Sequence, residues 1–72
     1  MKQNNFDPGL QAGTHLKSLI KESKWKTQED FAFDFGVDVR TVRRWINQGI
    51  SNIYTIWELA EFFDVDALTF FS

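Results

Sequence analysis

Residues 26–49, with the sequence KTQEDFAFDFGVDVRTVRRWINQG, decide the fold of this chain. Thr27 is a favourable N-cap for one short helix, and Gly36 provides a left-handed residue that would end it. Asp38 can cap a second helix, which Gly49 would end. The stretch therefore predicts two short helices joined by a tight glycine turn.

The second of these helices, over residues 39–48, has an apolar face and a basic face. At about 100° per residue, one side carries Val42, Trp45 and Ile46. Arg40 and Arg44 lie opposite, one helical turn apart. The flanks of the basic face carry Thr41, Arg43 and Asn47. The pattern predicts one buried side and one exposed, arginine-bearing side.

A tight turn followed by an exposed basic helix is how a helix-turn-helix protein presents donors to the DNA major groove. Because arginine pairs with guanine O6 and N7, we predict that Arg40 and Arg44 contact bases. Val39 stands at the helix end that would enter the groove first, where it could contact a thymine methyl group or pack on the turn. The predicted phosphate contacts are Gln28, Thr41, Arg43 and Asn47. From charge alone, three arginines on an exposed face are as often only a solvated surface.

The net charge of −2 counts against nucleic-acid binding, because phosphate-binding proteins are normally basic overall. The average conceals a division of charge along the chain. Residues 15–47 hold seven Lys and Arg against five Asp and Glu, whereas residues 48–72 hold four acidic residues and no Lys or Arg. The arginines favour DNA as the partner, and the acidic final third favours a protein.

A chain of 72 residues forms one domain with a small core. Its eight Phe, three Trp and one Tyr supply the large apolar area that such a core needs. It has no Cys, which excludes disulfides and thiolate zinc sites and favours a reducing compartment. Its apolar runs are far shorter than the roughly 20 residues that cross a bilayer, so we expect a cytoplasmic protein.

The N-terminal segment predicts an arm followed by one helix. We interpret residues 1–13 as a flexible N-terminal arm and residues 14–72 as the domain. Asp7 and Pro8 nevertheless offer an N-cap and a proline for a first helical turn. The helix extends to about Ser23. Its apolar face carries Leu16, Leu19 and Ile20, with Leu10 as a further candidate.

The C-terminal segment predicts a fourth helix, capped by Asn52, and a last short helix, capped by Asp66. The apolar stripe of the fourth helix consists of Ile53, Ile56, Trp57, Leu59, Ala60 and Phe63. The fold class is therefore all-α, a compact bundle of about five short helices. Some aromatic side chains could either close the core or form an exposed patch for self-association: Trp57, Phe62, Phe70 and Phe71.

These short motifs, in their order and spacing, resemble the phage repressor and Cro type of helix-turn-helix domain, the Xre-like family. The resemblance spans about residues 14–71. Two motifs are long: TQEDFA at 27–32, which is similar to the family's TQEELA, and NIYTIWELA at 52–60, which is similar to its SLETLLKLA. Three are short: Gly36-Val37 in the turn, Thr41-Val42 in the third helix and Asp64-Val65-Asp66 before the last helix.

The resemblance implies a lambda-repressor-like fold, with the helix-turn-helix at helices 2 and 3. It implies that Gln28 contacts phosphate and that Val39, Arg40 and Arg44 face bases. The implied function is a transcriptional regulator, more a repressor than an activator, which binds a palindromic operator in double-stranded DNA as a homodimer.

Two departures from the family pattern stand out. The family often pairs an arginine in helix 1 with a glutamate after the recognition helix, and here Lys21 and Ile46 occupy the matching positions. We expect Ile46 to pack instead. Residues 47–51 also form a shorter link, with Gly49 one place later than usual.

An enzyme has little support, because His15 is the only histidine and no glycine-rich phosphate loop follows a strand. Asp30, Asp34 and Asp38 could form a carboxylate cluster for a metal, but caps explain Asp30 and Asp38 more simply. We therefore expect no enzymatic activity, no metal and no cofactor. The alternative to a DNA-binding regulator is a helix-turn-helix fold used as a protein interaction module, such as an antitoxin or antirepressor partner.

Overall fold

The computed structural model describes residues 7–71. They form α1 (Pro8–Glu22), α2 (Gln28–Phe35), α3 (Val39–Gln48), α4 (Ile53–Phe63) and a final 3-10 helix (Ala67–Phe71). No strand occurs within residues 7–71, and none of their helices is long and apolar enough to cross a bilayer. The predicted all-α bundle of about five short helices is confirmed, with four α-helices and one 3-10 helix.

Short polar side chains and glycines set the helix ends where the sequence predicts them. Thr27, Asp38 and Asn52 each accept a hydrogen bond from a backbone N–H in the first turn of the helix that follows. Gly36, at φ +90°, ends α2 in the left-handed conformation. Gly49, at φ +102°, ends α3. Local chemistry alone thus fixes the bounds of α2 and α3.

Helix α1 begins earlier than the predicted domain boundary. Asp7 caps its first turn, and Pro8 is its first residue. Two residues of this first part are buried: Ala12 and Gly13. The interpretation of residues 1–13 as a flexible arm is therefore wrong from Pro8 onward, because small residues let this part of α1 pack closely against α3. Residues 1–6 of the predicted arm lie outside the described residues.

The core lies where α1, α2, α4 and the 3-10 helix meet beneath α3. Its buried side chains are Ala12, Leu16, Ile20, Phe31, Ala32, Val42, Ile50, Ile56, Leu59, Ala60 and Phe70. Among the described residues, no polar or charged residue is buried. Apolar packing therefore provides the interior of the domain without a buried ion pair.

Helix α4 buries a narrower face than its apolar stripe predicts. Ile53 is 55% exposed, so its assignment to the buried stripe was wrong. Trp57 is 59% exposed, which agrees with the second of its two predicted places, the exposed patch. The helix is apolar on several sides, and its covered side is the one that faces the 3-10 helix and the aromatic rings of Trp25, Phe31 and Phe35. Phe70, a predicted candidate for the exposed patch, is fully buried because the 3-10 helix folds back onto α1 and α4.

An aromatic cluster joins the segment before α2 to three helices. Its members are Trp25, Phe31, Phe35, Trp45, Phe62 and Phe63, with neighbouring ring centroids 5.0–6.2 Å apart. The rings meet both edge to face and stacked, the two arrangements that aromatic pairs favour. Trp25 Nε1 also donates a hydrogen bond of 2.7 Å to Asp34 Oδ2. The cluster holds α3 to α2 through the contact of the Trp45 ring with Phe35.

A glycine junction, formed by Gly9, Gly13 and Gly49, holds α3 to α1 on its other side. A Cβ atom at Gly13 would overlap the carbonyl oxygen of Trp45, and one at Gly49 would lie 2.9 Å from the carbonyl carbon of Gly9. The Gly9 carbonyl accepts a hydrogen bond of 3.0 Å from the N–H of Ile50. The backbone of α1 therefore packs directly on the backbone of α3, and the C-terminal end of α3 is held against the start of α1.

Candidate nucleic-acid interface

Helix α3 presents the two faces that its sequence predicts. Val42 is fully buried, while Trp45 and Ile46 are half-buried and pack against the core. The expected packing of Ile46 is thus confirmed. The three arginines, Arg40, Arg43 and Arg44, are exposed. The glycine junction and the aromatic cluster fix the buried side, so the arginine-bearing side is held rigidly outward.

Arg40 is held by the residue that caps its own helix. Asp38 Oδ1 accepts hydrogen bonds from the backbone N–H of Arg40 at 2.8 Å and from its Nε at 3.3 Å. Asp38 Oδ2 accepts from Arg40 Nη2 at 3.2 Å. These hydrogen bonds favour the charged forms of both groups, so they lower the pKa of Asp38 and raise that of Arg40.

Arg43 reaches across to α2. Its Nη2 lies 2.8 Å from Glu29 Oε2, and both side chains are at least half exposed. The pair joins the first turn of α2 to the middle of α3, across the turn between them. An exposed ion pair of this kind stabilises a protein little, but it directs the Arg43 guanidinium towards the start of α2.

Arg44 lines a groove on the other side of α3, which we call the α3–α4 groove. This groove has a volume of about 810 Å³ and lies between the start of α1, the end of α3 and the start of α4. Its polar lining includes Thr41, Arg44, Gln48, Ser51 and Asn52. Among the described residues Arg44 has no ion-pair partner. Its guanidinium is therefore available to a ligand.

Gln28 lies in a second groove, which we call the α1–α2 groove. The groove has a volume of about 420 Å³. Its polar lining consists of Lys17, Lys21, Lys26, Thr27, Gln28, Glu29 and Arg43. Lys26 stands in the left-handed region at φ +65°, an uncommon conformation for a residue other than glycine. Four cations from α1, α3 and the loop between α1 and α2 thus line this groove together with the first residues of α2.

The seven predicted site residues do not form a single row. Thr41 and Arg44 share the α3–α4 groove, while Gln28 and Arg43 share the α1–α2 groove. The remaining three residues lie in neither groove: Val39, Arg40 and Asn47. Arg40 and Asn47 are exposed, whereas Val39 is half-buried and packs against the core. The packing of Val39 corresponds to the second of its two predicted roles.

The lysines of the α1–α2 groove were missed by the sequence analysis. Lys17 and Lys21 are four residues apart, a spacing that places them on one face of α1. That signal was present in the sequence. Their meeting with Gln28 was not, because it depends on how α1 packs beside α2.

Two of the three aspartates that could suggest a metal site serve other roles. Asp34 accepts the indole hydrogen bond of Trp25, and Asp38 caps α3 and holds Arg40. Within residues 7–71, no group of three or more His, Cys, Asp and Glu side chains is placed to hold a metal ion.

Two short helices joined by a glycine turn, the second with an exposed basic face, define a helix-turn-helix protein. A family model described as helix-turn-helix matches residues 16–70, which is more than half of the chain. The chain belongs to this family, the Cro/C1-type, Xre-like helix-turn-helix domains of DNA-binding regulators. No curated protein and no solved structure matches the chain significantly.

Proposed function

We propose that this protein is a sequence-specific transcriptional regulator of the cytoplasm that binds double-stranded DNA, a repressor of the phage or mobile-element type. The observation that carries the proposal is the exposed arginine face of α3, opposite a side fixed by buried Val42 and by the glycine junction. A rigid helix with exposed guanidinium groups matches the major groove in width and in donors.

In this proposal, Arg40 and Arg44 contact guanines. They are exposed and one helical turn apart, so they reach neighbouring base steps. Val39 contributes at most a methyl contact to thymine, because it is half-buried. The phosphate contacts come from Gln28, Thr41, Arg43 and Asn47.

The α1–α2 groove supports the phosphate role of Gln28. Its side chain shares the groove with Lys17, Lys21 and Lys26, which attract a phosphodiester and compensate locally for the net charge of −2. Arg43 lines the same groove, beside Glu29. On DNA, Arg43 exchanges this exposed partner for a phosphate oxygen, and the exchange costs little because exposed ion pairs are weak.

The protein would bind a palindromic operator as a homodimer, with the two copies of α3 about 34 Å apart. An exposed apolar surface near the C-terminus, which we call the C-terminal patch, is suited to self-association. It consists of Trp57, at 59% exposed, and Leu68, at 71%, beside a shallow groove between α4 and the 3-10 helix. Isolated surface apolar residues are common, but two large exposed side chains beside one groove support this role.

Selection from random duplex DNA, followed by titration of the selected site at several salt concentrations, tests the proposal. Arg44→Ala should weaken binding to the selected site by about tenfold and relax preference at one base position. Lys24→Ala is the matched control, because Lys24 has the same charge but lies over the Trp25 ring. Gln28→Ala should instead weaken all duplexes similarly.

The proposal fails if no sequence is enriched and Arg44→Ala leaves the remaining weak binding unchanged. It also fails if Lys24→Ala and Arg44→Ala have the same effect, since only the total charge would then matter. Sedimentation of Trp57→Ala, with Phe33→Ala as a control for an exposed aromatic elsewhere, tests the dimer separately.

The second candidate function is a protein interaction module, an antitoxin or antirepressor partner. The C-terminal patch favours it, together with the four acidic residues and no basic ones over residues 48–72. This function predicts that Trp57→Ala abolishes binding to a basic protein partner while Arg40→Ala and Arg44→Ala have no effect. The arginine face of α3 makes it the weaker of the two candidates.

A further inference from the structure

The carboxylate of Asp38 makes more hydrogen bonds than a helix cap needs. A cap requires one acceptor oxygen, and Oδ1 fills that role by accepting from the backbone N–H of Arg40 at 2.8 Å. The same oxygen also accepts from Nε, and Oδ2 accepts from Nη2 at 3.2 Å. Because the backbone bond fixes the carboxylate against the first turn of α3, the carboxylate in turn fixes the plane of the guanidinium.

Stability does not account for this arrangement. The side chains of Arg40 and Asp38 are 85% and 53% exposed. Ion pairs in such surroundings contribute little to folding, since water and salt screen them. What the contact changes is the number of orientations that Arg40 samples.

The donors that remain on Arg40 match one base edge. A guanidinium has five N–H donors in a rigid plane. Asp38 occupies the edge formed by Nε and one hydrogen of Nη2. The end of the fork, with both hydrogens of Nη1 and the second hydrogen of Nη2, is left over. Two parallel donors at that end fit O6 and N7 of guanine.

The other two arginines of the face are not held in this way. Arg43 makes a single contact with Glu29 on another helix, and Arg44 has no ion pair among the described residues. Arg40 alone of the three is clamped on two nitrogens by a side chain of its own helix end.

We propose that Asp38 is a specificity-determining residue, which positions Arg40 for guanine and needs no contact with DNA itself. This inference rests on the proposed function and deepens it by assigning guanine to the position that Arg40 contacts. Asp38 lowers the entropy that Arg40 loses on binding. Its negative charge also repels phosphates, so it weakens binding to DNA in which no guanine meets Arg40.

Asp38→Ser tests the proposal, because serine is an equally good N-cap but cannot hold a guanidinium. Binding is measured to the selected duplex and to the three duplexes in which the base pair at Arg40 is changed. We expect discrimination at that pair to fall by about tenfold, while binding to random duplex becomes tighter. A purely structural role would weaken all duplexes alike, and thermal unfolding of the variant checks that the fold is kept.

Arg40→Ala separates failure of this proposal from failure of the proposed function. If Arg40→Ala changes no base preference, the assignment of Arg40 to base readout is wrong, and the role of Asp38 falls with it. If Arg40→Ala removes the preference but Asp38→Ser keeps it, only the positioning role is overturned. When Asp38→Ser is combined with Arg40→Ala, discrimination should be no lower than in Arg40→Ala alone, because Asp38 acts through Arg40.

Discussion

Helix α3 meets its neighbours through large rings in the aromatic cluster, whereas in the glycine junction it meets α1 through backbone atoms. The residue shared by the two regions is Trp45, whose ring belongs to the cluster and whose carbonyl faces Gly13. Rings of similar size can replace one another in partly exposed packing, but a close backbone contact has no room for even one carbon atom. The cluster is therefore sensitive to lost volume, and the junction to added volume.

The largest effect is expected in the aromatic cluster from Phe31→Ala. Phe31 is fully buried and contacts four other rings, so its loss should lower the free energy of unfolding by about 4 kcal/mol. Phe33→Ala is the matched control on the same helix, since Phe33 is 85% exposed and should change stability by less than about 0.5 kcal/mol. Urea denaturation measures both. Similar losses in the two variants would refute the placement of the cluster.

A smaller but still severe effect is expected in the glycine junction from Gly13→Ala. The new methyl group would overlap the Trp45 carbonyl, and forcing α1 away from α3 should cost about 3 kcal/mol. Gly36→Ala adds the same atom where nothing lies within 4 Å, so it incurs only left-handed strain of about 1 kcal/mol. A Gly13→Ala variant as stable as Gly36→Ala would show that the two helices are not in close contact.

The polar edge of the aromatic cluster should contribute less. Asp34→Ala removes the acceptor of the Trp25 indole N–H, and we expect a loss of about 1 kcal/mol, or about 5 °C in Tm. Glu58→Ala removes an exposed carboxylate from α4 and controls for the change in net charge. If both variants melt at the same temperature, the indole hydrogen bond does not stabilise the cluster.

The smallest effect on stability is expected when the pH is lowered, because neither the aromatic cluster nor the glycine junction contains a buried charge. Arg40 lowers the pKa of Asp38, chiefly by donating side-chain hydrogen bonds to its carboxylate, so Asp38 stabilises the fold above its unfolded pKa. That contribution is lost as the pH falls through the lowered, folded pKa. An NMR titration of the Asp38 carboxyl should show its pKa rising in Arg40→Ala towards the ordinary aspartate value. An unchanged titration would mean that the pair does not form in solution.

Much of the fold could be predicted from sequence where the determinants are local. The bounds of α2 and α3 follow from Thr27, Gly36 and Asp38, each of which acts within one helical turn. Asp7 and Pro8 also signal the start of α1 locally, but Gly9 and Gly13 obscure that signal. The glycines there look like breakers in isolation, and only α3, more than thirty residues later, makes Gly13 the residue that fits.

The candidate site shows the same contrast between local features, which the sequence predicts, and features that depend on helix packing. Helical periodicity placed Arg40 and Arg44 on the exposed face, because an amphipathic helix has only one way to bury Val42. The pairing of Arg43 with Glu29 depends on the crossing of α2 and α3, which periodicity does not contain. Ile53 was misplaced for a related reason, since an apolar residue on a largely apolar helix does not reveal which side the neighbours cover.

The hydrogen bond from Ile50 to the Gly9 carbonyl also bears on the order of folding. It closes a loop of about 40 residues, whose entropic cost is met only when the chain between is already compact. The turn between α2 and α3 closes locally and can form first. We therefore expect an early state in which α3 exists as a helix but has no fixed orientation. When the first turn of α1 docks on α3, the arginine face of α3 acquires its final orientation.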